Sequence, residues 1–253
     1  YRDGVMCLPM KRLKNKSEHL KILLQCLLTG RFNHGVCPVC ERQTLFMKKG
    51  EWLRDQYVCI FCNSLPRQRA ITIVIEMMFP DYRNMKMFES SPCGPASRKL
   101  MKKCKHYLSG FYFEDIPAGE YKSGNRCENL EELTFDDNTF DLVITQDVLE
   151  HVLNPGKAFK EICRVLKPGG AHVFTVPYYF WQKTLIRAKK NPTGIEYLAP
   201  KVYHGNPIDE NGSLVVTEWG EDFLEYVYEH SGMVTTAYNL RSRNMGLEAE
   251  FLE

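Results

Sequence analysis

The chain has 253 residues, 44% of them hydrophobic and 25% charged, enough apolar material for a real core and too little net charge to keep the chain unfolded. Lys and Arg number 33 against 31 Asp and Glu, a formal net charge of +2, which weighs against nucleic acid as a partner because a polyanion-binding surface needs a basic excess. No apolar run approaches the roughly 18 residues of a membrane span and no signal peptide is apparent. The ten cysteines do not look like the framework of a small secreted domain, so a cytoplasmic protein is expected. The chain begins at Tyr1 and is expected to be trimmed or a piece of something longer.

In chain order, the first element is a helix over Ser17–Thr29, with Leu20, Leu23, Leu24, Leu27 and Leu28 on one face, Ser17 as N-cap and Gly30 as stop. Gly35–Ser64 reads as short strand-like pieces around two cysteine pairs, and Arg67–Phe79 as a helix closed by Pro80. Then strands and helices alternate. Strands are expected at Lys86–Glu89, His106–Tyr112, Phe140–Thr145 and Ala171–Val176, and helices at Pro95–Cys104, Asn154–Leu166 and Glu221–Ser231. Asn154 is a cap with Pro155 in the first turn. Val234–Leu240 and Leu247–Leu252 read as a closing pair of strands. Such alternation implies a parallel sheet covered on both faces. The basic runs Lys11–Lys16, Lys99–Lys105 and Arg187–Lys190 read as solvated faces.

Cys37 and Cys40 form one Cys-x2-Cys pair and Cys59 and Cys62 another, with 18 residues between them. Each tight turn presents two sulfurs, so two such turns supply the four thiolates of a structural zinc site with no open position for water. Cys7, Cys26, Cys93, Cys104, Cys127 and Cys163 are read as buried or incidental thiols.

The segment FDDNTFDLVITQDVLEHVLNPGKAFKEICRVLKPGGAHVFTVP, Phe135–Pro177, carries the most information. Its apolar strand delivers Gln146, Asp147, Glu150 and His151 to the carboxyl edge of the sheet, where open α/β folds bind ligands, and Lys167–Gly170 is expected to turn the chain into the next strand. FDLVITQDVLEHV and RVLKPGG together resemble a class I S-adenosylmethionine-dependent methyltransferase, over about Met85–Leu240. The resemblance implies an α/β, Rossmann-like doubly wound sheet. With the cysteine pairs, the expected organisation is a small helix and zinc-knuckle module over 1–66 and a methyltransferase domain over 67–253.

S-adenosylmethionine is the implied cofactor. The resemblance places Glu89, Ser90, Pro92 and Gly94 of MKMFESSPCGPASRKL at its methionine end, although the usual glycine-rich turn is reduced here to Gly94. Phe111 or Tyr112 lies where the ribose-binding carboxylate belongs, and Glu114 or Asp115 follows. Glu128, Asn129 and Leu130 are expected beside the adenine. Gln146, Asp147 and His151 complete the cofactor set.

The aromatic-rich stretch at about 178–219 is too long for a simple connection, and the resemblance makes it the acceptor-binding insertion. Tyr178, Tyr179, Phe180 and Trp181 read equally as a stacking surface for a flat or sugar-like acceptor and as core. Methyl transfer from a sulfonium is an in-line displacement that needs alignment, plus proton removal when the nucleophile is a hydroxyl. His204, between Tyr203 and the Gly205–Asn206–Pro207 turn, is the first candidate base and His151 the second. YHGNPID and TEWGEDF further resemble a subset of bacterial methyltransferases, some associated with surface polysaccharides. The expected activity is O-methylation of a small-molecule or glycan acceptor. The competing readings are a ribosomal or transfer RNA methyltransferase and an inactive, zinc-stabilised interaction module.

Overall fold

The computed structural model describes residues 21, 24–26, 28–205 and 210–248. Of the expected first helix, residues 21, 24–26 and 28 are helical; Cys7, the Lys11–Lys16 run and Asn206 and Pro207 lie outside the described residues. The chain divides into two compact units. One is built from Arg83–Pro92 and Cys104–Ala237, the other from the described residues up to Tyr82, Cys93–Lys103 and the described residues from Tyr238. The second unit thus takes in helices that the expected division after residue 66 assigned to the methyltransferase domain.

The cysteine-bearing unit starts with an antiparallel meander of β1 (Phe32–Val36), β2 (Gln43–Lys48) and β3 (Tyr57–Cys59). A short helix, α1 (Leu53–Gln56), joins the last two strands. Helix α2 (Pro66–Met78) has Pro66 in its first turn, and the Leu65 amide donates to Gln68 Oε1 at 3.2 Å, satisfying one of the groups a helix start leaves open. Helix α3 (Gly94–Lys103) carries Lys99, whose ammonium reaches Pro38 O at 2.7 Å, Glu76 Oε1 at 2.6 Å and Glu41 Oε1 at 3.0 Å. The buried lysine is thereby paired and hydrogen-bonded, as burial of its charge requires.

The other unit holds a six-stranded sheet. Its strands are β4 (Lys86–Ser90), β5 (His106–Phe111), β6 (Tyr121–Lys122), β7 (Asn125–Cys127), β8 (Phe140–Gln146) and β9 (Leu166–Thr175), in the order β6-β7-β5-β4-β8-β9. All neighbours are parallel except the β6–β7 hairpin. The chain leaves β4 to one side for β5 and later returns to its other side for β8, so the topological switch falls at β4, whose last residue, Ser90, pairs with both Gly110 and Thr145. Ligand crevices of open α/β sheets form at the carboxyl end of such a switch.

Helix α4 (Pro155–Val165) begins as expected, with Asn154 Oδ1 accepting from the Lys157 amide at 3.0 Å. It buries Phe159, Ile162 and Val165 in a core with Phe88, Phe140, Val143 and Leu149. Helix α5 (Phe223–Ser231) ends at Gly232, in the left-handed region at φ 71°.

Two expectations are corrected. Lys167–Gly170 is not a turn between elements but a bulge inside β9: Phe140 faces Leu166 and Leu142 faces Ala171, so four residues stand opposite Asp141. Lys167 Nζ pins the bulge to Asp141 Oδ1 at 2.8 Å. Nor do 234–240 form a strand. Val234 is 87% exposed, and the closing pair reduces to one bridge between Ser242 and Leu247. Alternation without a pairing neighbour leaves backbone groups to water instead of a ladder. Residues 249–252 lie outside the described residues.

Candidate active site and cysteine centre

At the carboxyl edge of β4, Glu89 is fully buried, and its carboxylate accepts from Tyr107 Oη on β5 and from Gln146 Nε2 on β8, each at 2.7 Å. Glu89 therefore ties together the three strands of the switch. Burial and this carboxylate push the Tyr107 phenol well above its ordinary range. Beyond it, Ser91 adopts φ 50° and its amide donates to Gly110 O at 2.7 Å, so the chain turns sharply off the strand. Ser90 and Pro92 are buried at this turn.

Gly94 belongs to the cysteine-bearing unit. It holds φ 85°, and a Cβ on it would stand 2.1 Å from Gln68 Nε2. Glycine is required on both counts.

After β5, Phe111 is buried while Tyr112, Glu114 and Asp115 are exposed; Asp115 pairs with Lys122, which holds its carboxyl below the ordinary range. Glu128 is buried, with Arg126 Nε donating to Oε1 at 2.7 Å, Thr134 Oγ1 to Oε1 at 2.6 Å and the Thr134 amide to Oε2 at 3.0 Å. The carboxylate thus braces its own loop. Asn129 Oδ1 accepts from the Glu131 amide at 2.9 Å, and the Leu130 side chain is part of the core.

Asp147 follows β8 at φ 51° and accepts from Thr175 Oγ1 at 2.9 Å. A 3-10 turn, Leu149–His151, comes next and carries the main cluster of the site. Its neighbours come from the insertion, a set of short strands: β10 (Tyr178–Tyr179), β11 (Leu185–Ile186), β12 (Ala188–Asn191), β13 (Gly194–Tyr197), β14 (Tyr203–His204), β15 (Ser213–Leu214) and β16 (Thr217–Gly220). Strand β16 sits between β10 and β11, and its Trp219 is fully buried against Phe159, Phe223 and Tyr226. The end of the insertion is therefore core, anchored by one aromatic side chain.

From that anchor the Val216 amide donates to Glu150 O at 2.7 Å, and Leu214 O accepts from His151 Nδ1 at 2.8 Å. His204 pairs with Ser213 across the β14–β15 hairpin and is thereby carried to the same place. The two imidazoles stand edge to face, 5.2 Å between centroids at 90°. Glu150 Oε1 is 3.8 Å from His151 Nε2 and 3.9 Å from His204 Nδ1, and the Glu150 side chain is 1% exposed. Burial lowers the His151 pKa, and the neighbouring His204 lowers it further.

The structure thus brings both candidate bases together and adds Glu150, which sequence reasoning delivered to the edge without a role. The adjacency of Glu150 and His151 at the end of a buried strand was the available signal. Tyr178 packs against the core, whereas Phe180 and Trp181 are 46% and 51% exposed and meet edge to face at 5.0 Å.

In the cysteine-bearing unit, the four sulfurs of Cys37, Cys40, Cys59 and Cys62 lie within 4.8 Å of one another. Cys37 and Cys62 are 3.7 Å apart and Cys40 and Cys59 3.9 Å apart, close to the ~3.8 Å edge of a tetrahedron with sulfurs ~2.3 Å from zinc. Both knuckles use the same local device: the residue after the second cysteine turns left-handed, Glu41 at φ 61° and Asn63 at φ 60°. Ser64 Oγ lies 3.3 Å from the Cys37 sulfur and 3.2 Å from that of Cys62, and Thr44 Oγ1 lies 3.3 Å from that of Cys59. Buried Arg69 stands over the Phe46 and Tyr57 rings and donates to Tyr57 O and Gly246 O. Burial lowers its pKa to about 10 against the opposing pull of Cys37, Tyr57, Cys59 and Cys62.

The switch at β4 and the segment that follows β8 define a class: the α/β, Rossmann-like fold of class I, S-adenosylmethionine-dependent methyltransferases. Residues 113–174 match the family described as methyltransferase domain. Ubiquinone/menaquinone biosynthesis C-methyltransferase UbiE of Hydrogenovibrio crunogenus is 60% identical over 122 residues, 42% of this chain and 48% of that protein. Glycine/sarcosine/dimethylglycine N-methyltransferase of Actinopolyspora halophila is 30% identical over 124 residues, 46% of this chain and 21% of that protein. The chain spans about half the length of the first of these relatives and less of the second. An S-adenosylmethionine dependent methyltransferase from Mesorhizobium loti has a crystal structure similar over 64% of this chain and 80% of that one, at 17% identity and a TM-score of 0.41. Among the described residues no helix is long and apolar enough to cross a membrane.

Proposed function

We propose that the chain transfers a methyl group from S-adenosylmethionine to an oxygen of a small-molecule or glycan acceptor. The observation that carries this reading is the convergence of Glu150, His151 and His204 beyond the carboxyl edge of a methyltransferase sheet. The relatives are named for methylation at carbon and at nitrogen, so they do not choose the atom. The choice of oxygen rests on the imidazoles: a hydroxyl must lose a proton during attack, and a neutral histidine is suited to take it. His204 is the first candidate, with His151 behind it.

For the cofactor, Ser90, Pro92, Gln146, Asp147 and His151 come from the ends of β4 and β8, and Glu89 holds those strands in register. Glu114 and the Glu128–Leu130 segment complete the proposed set in this unit. Glu128 acts there by shaping its loop, given the partners of its carboxylate.

The four cysteines are proposed to hold a structural zinc ion. Their sulfur separations fit a tetrahedron, and Ser64 and Thr44 are placed to donate to thiolates. Arg69 supplies positive charge against the surplus negative charge of four thiolates on one divalent ion.

Calorimetry with S-adenosylmethionine, followed by methyl transfer from labelled cofactor to a panel of sugars and small hydroxyl compounds, tests the activity. Binding without transfer to any oxygen acceptor, but with transfer to an amine or carbon nucleophile, would overturn the choice of atom. Failure to bind at millimolar concentration would overturn the reading as a whole.

A further inference from the structure

We infer that Glu150, His151 and His204 form a second metal centre, one that binds a divalent first-row transition ion and uses it to seat an acceptor hydroxyl beside a second oxygen donor. The inference rests on the proposed methyl transfer for its use, although the site stands on its own geometry.

Three kinds of observation support it. First, one ligand atom from each residue lies within 4.8 Å of the others. The separations, 3.8 and 3.9 Å from Glu150 Oε1 to the two imidazole nitrogens, exceed a hydrogen bond. They are a few tenths of an ångström longer than the ~3.0 to 3.4 Å between two atoms that share an ion at about 2.1 Å from each, so a small inward movement of the side chains brings them to coordinating distance. Second, the backbone carbonyl of Leu214 can only accept, so the 2.8 Å contact puts the His151 proton on Nδ1. The lone pair is then on Nε2, the nitrogen that faces Glu150. A ligating histidine usually donates its other N–H to a carbonyl or carboxylate in this way. Third, the cluster is assembled from segments far apart in the chain, yet is fixed twice: by the Val216 amide on Glu150 O at 2.7 Å and by the pairing of His204 with Ser213.

Two imidazoles and one carboxylate form the ligand set of a two-histidine, one-carboxylate centre, which leaves coordination positions open and suits Mn, Fe, Co or Zn better than the all-oxygen preference of magnesium. This centre differs in kind from the four-cysteine site, which has no open position. An acceptor with two adjacent oxygens would occupy two of the open positions. Ligation lowers the hydroxyl pKa, as it does for metal-bound water, and the proton leaves to solvent. The new bond forms between that oxygen and the methyl carbon while the carbon–sulfonium bond breaks, its electron pair remaining on sulfur as a neutral thioether. In the loaded centre His204 and His151 serve as ligands, and the ion takes over the activation that an imidazole provides without it.

The test uses Mn2+ as the probe on the zinc-containing full chain, with free Mn2+ followed by electron paramagnetic resonance. Wild type is expected to remove free Mn2+ with a single saturable site. Glu150→Gln and His204→Asn are expected to weaken that site at least tenfold while zinc content stays unchanged. Should a variant fail to fold, replacement of Mn2+ by Co2+ in wild type gives an independent readout, the visible bands of nitrogen and oxygen coordination. Absence of Mn2+ binding at millimolar concentration, or equal binding in folded variants, overturns the inference. S-adenosylmethionine calorimetry on the same samples separates the two failures: cofactor binding without Mn2+ binding sinks the metal centre alone, and Mn2+ binding without cofactor binding sinks the methyltransferase reading alone.

Discussion

His151 Nδ1 donates to the backbone carbonyl of Leu214 at 2.8 Å, and this contact joins the loop after the fourth parallel strand to the insertion 63 residues further on. Because the acceptor is a carbonyl, the imidazole has one tautomer and one orientation. The same stretch of insertion donates to Glu150 O through Val216 and is itself anchored by Trp219 in the core. The carboxyl edge of the sheet and the insertion are thus joined by direct contacts at His151 and Glu150.

His204→Ala should therefore lower turnover by about two orders of magnitude, the scale of a lost proton acceptor or activating group, with S-adenosylmethionine affinity changed less than about threefold. Single-turnover rates and calorimetry measure the two quantities separately. Unchanged turnover would remove His204 from the reaction; a parallel loss of affinity would make it a cofactor contact.

Cys37→Ser should abolish zinc binding, not halve it, because a tetrathiolate site loses its geometry with one ligand. Metal analysis of the purified variant checks this. The loss should also lower the unfolding temperature, since metal affinity in such sites contributes directly to folding. Retention of zinc with wild-type stability would refute the site.

The parts of this molecule that were legible in the sequence are those whose cause is local. Each Cys-x2-Cys pair folds on itself, Asn154 caps the helix three residues ahead of its partner amide, and the apolar run Phe140–Gln146 is buried almost throughout. Where a second segment decides, the reading ran out. Val234–Leu240 has strand-like residues, but no neighbour pairs with it. Lys167–Gly170 looks like a turn, yet the register of β8 makes it a bulge. The meeting of His151 and His204 was beyond reach for the same reason, since a buried tryptophan and a two-residue hairpin bring them together.

Gly94→Ala should destabilise the fold. The left-handed φ of 85° disfavours any side chain with a Cβ, and the added atom would press on Gln68 Nε2. The backbone component costs about 1 kcal/mol, and Gln68 is a flexible end that can yield at further cost. Urea unfolding of Gly94→Ala, of Gln68→Ala and of the double variant separates the two, because the cycle cancels the loss of the Gln68 bond to the Leu65 amide and leaves the clash. Wild-type stability of the single variant would show that the turn does not need glycine.

His172 makes the stability of the sheet sensitive to acid. It lies opposite Val143, stacks on Phe174 at 4.5 Å and holds Thr145 Oγ1 at 3.0 Å through Nε2. Burial lowers its pKa from 6.5 to about 3. Between those values the unfolded chain binds a proton that the folded chain refuses, so unfolding becomes easier as pH falls. The contribution of the neutral ring is complete above pH 6.5 and is lost progressively toward pH 3, at a slope approaching roughly 1.4 kcal/mol per pH unit. His172→Gln keeps a polar group for Thr145 but cannot titrate, so its stability relative to wild type should improve as pH drops from 7 to 4.5. Parallel unfolding curves for the two proteins across that range would show that His172 is not the group responsible.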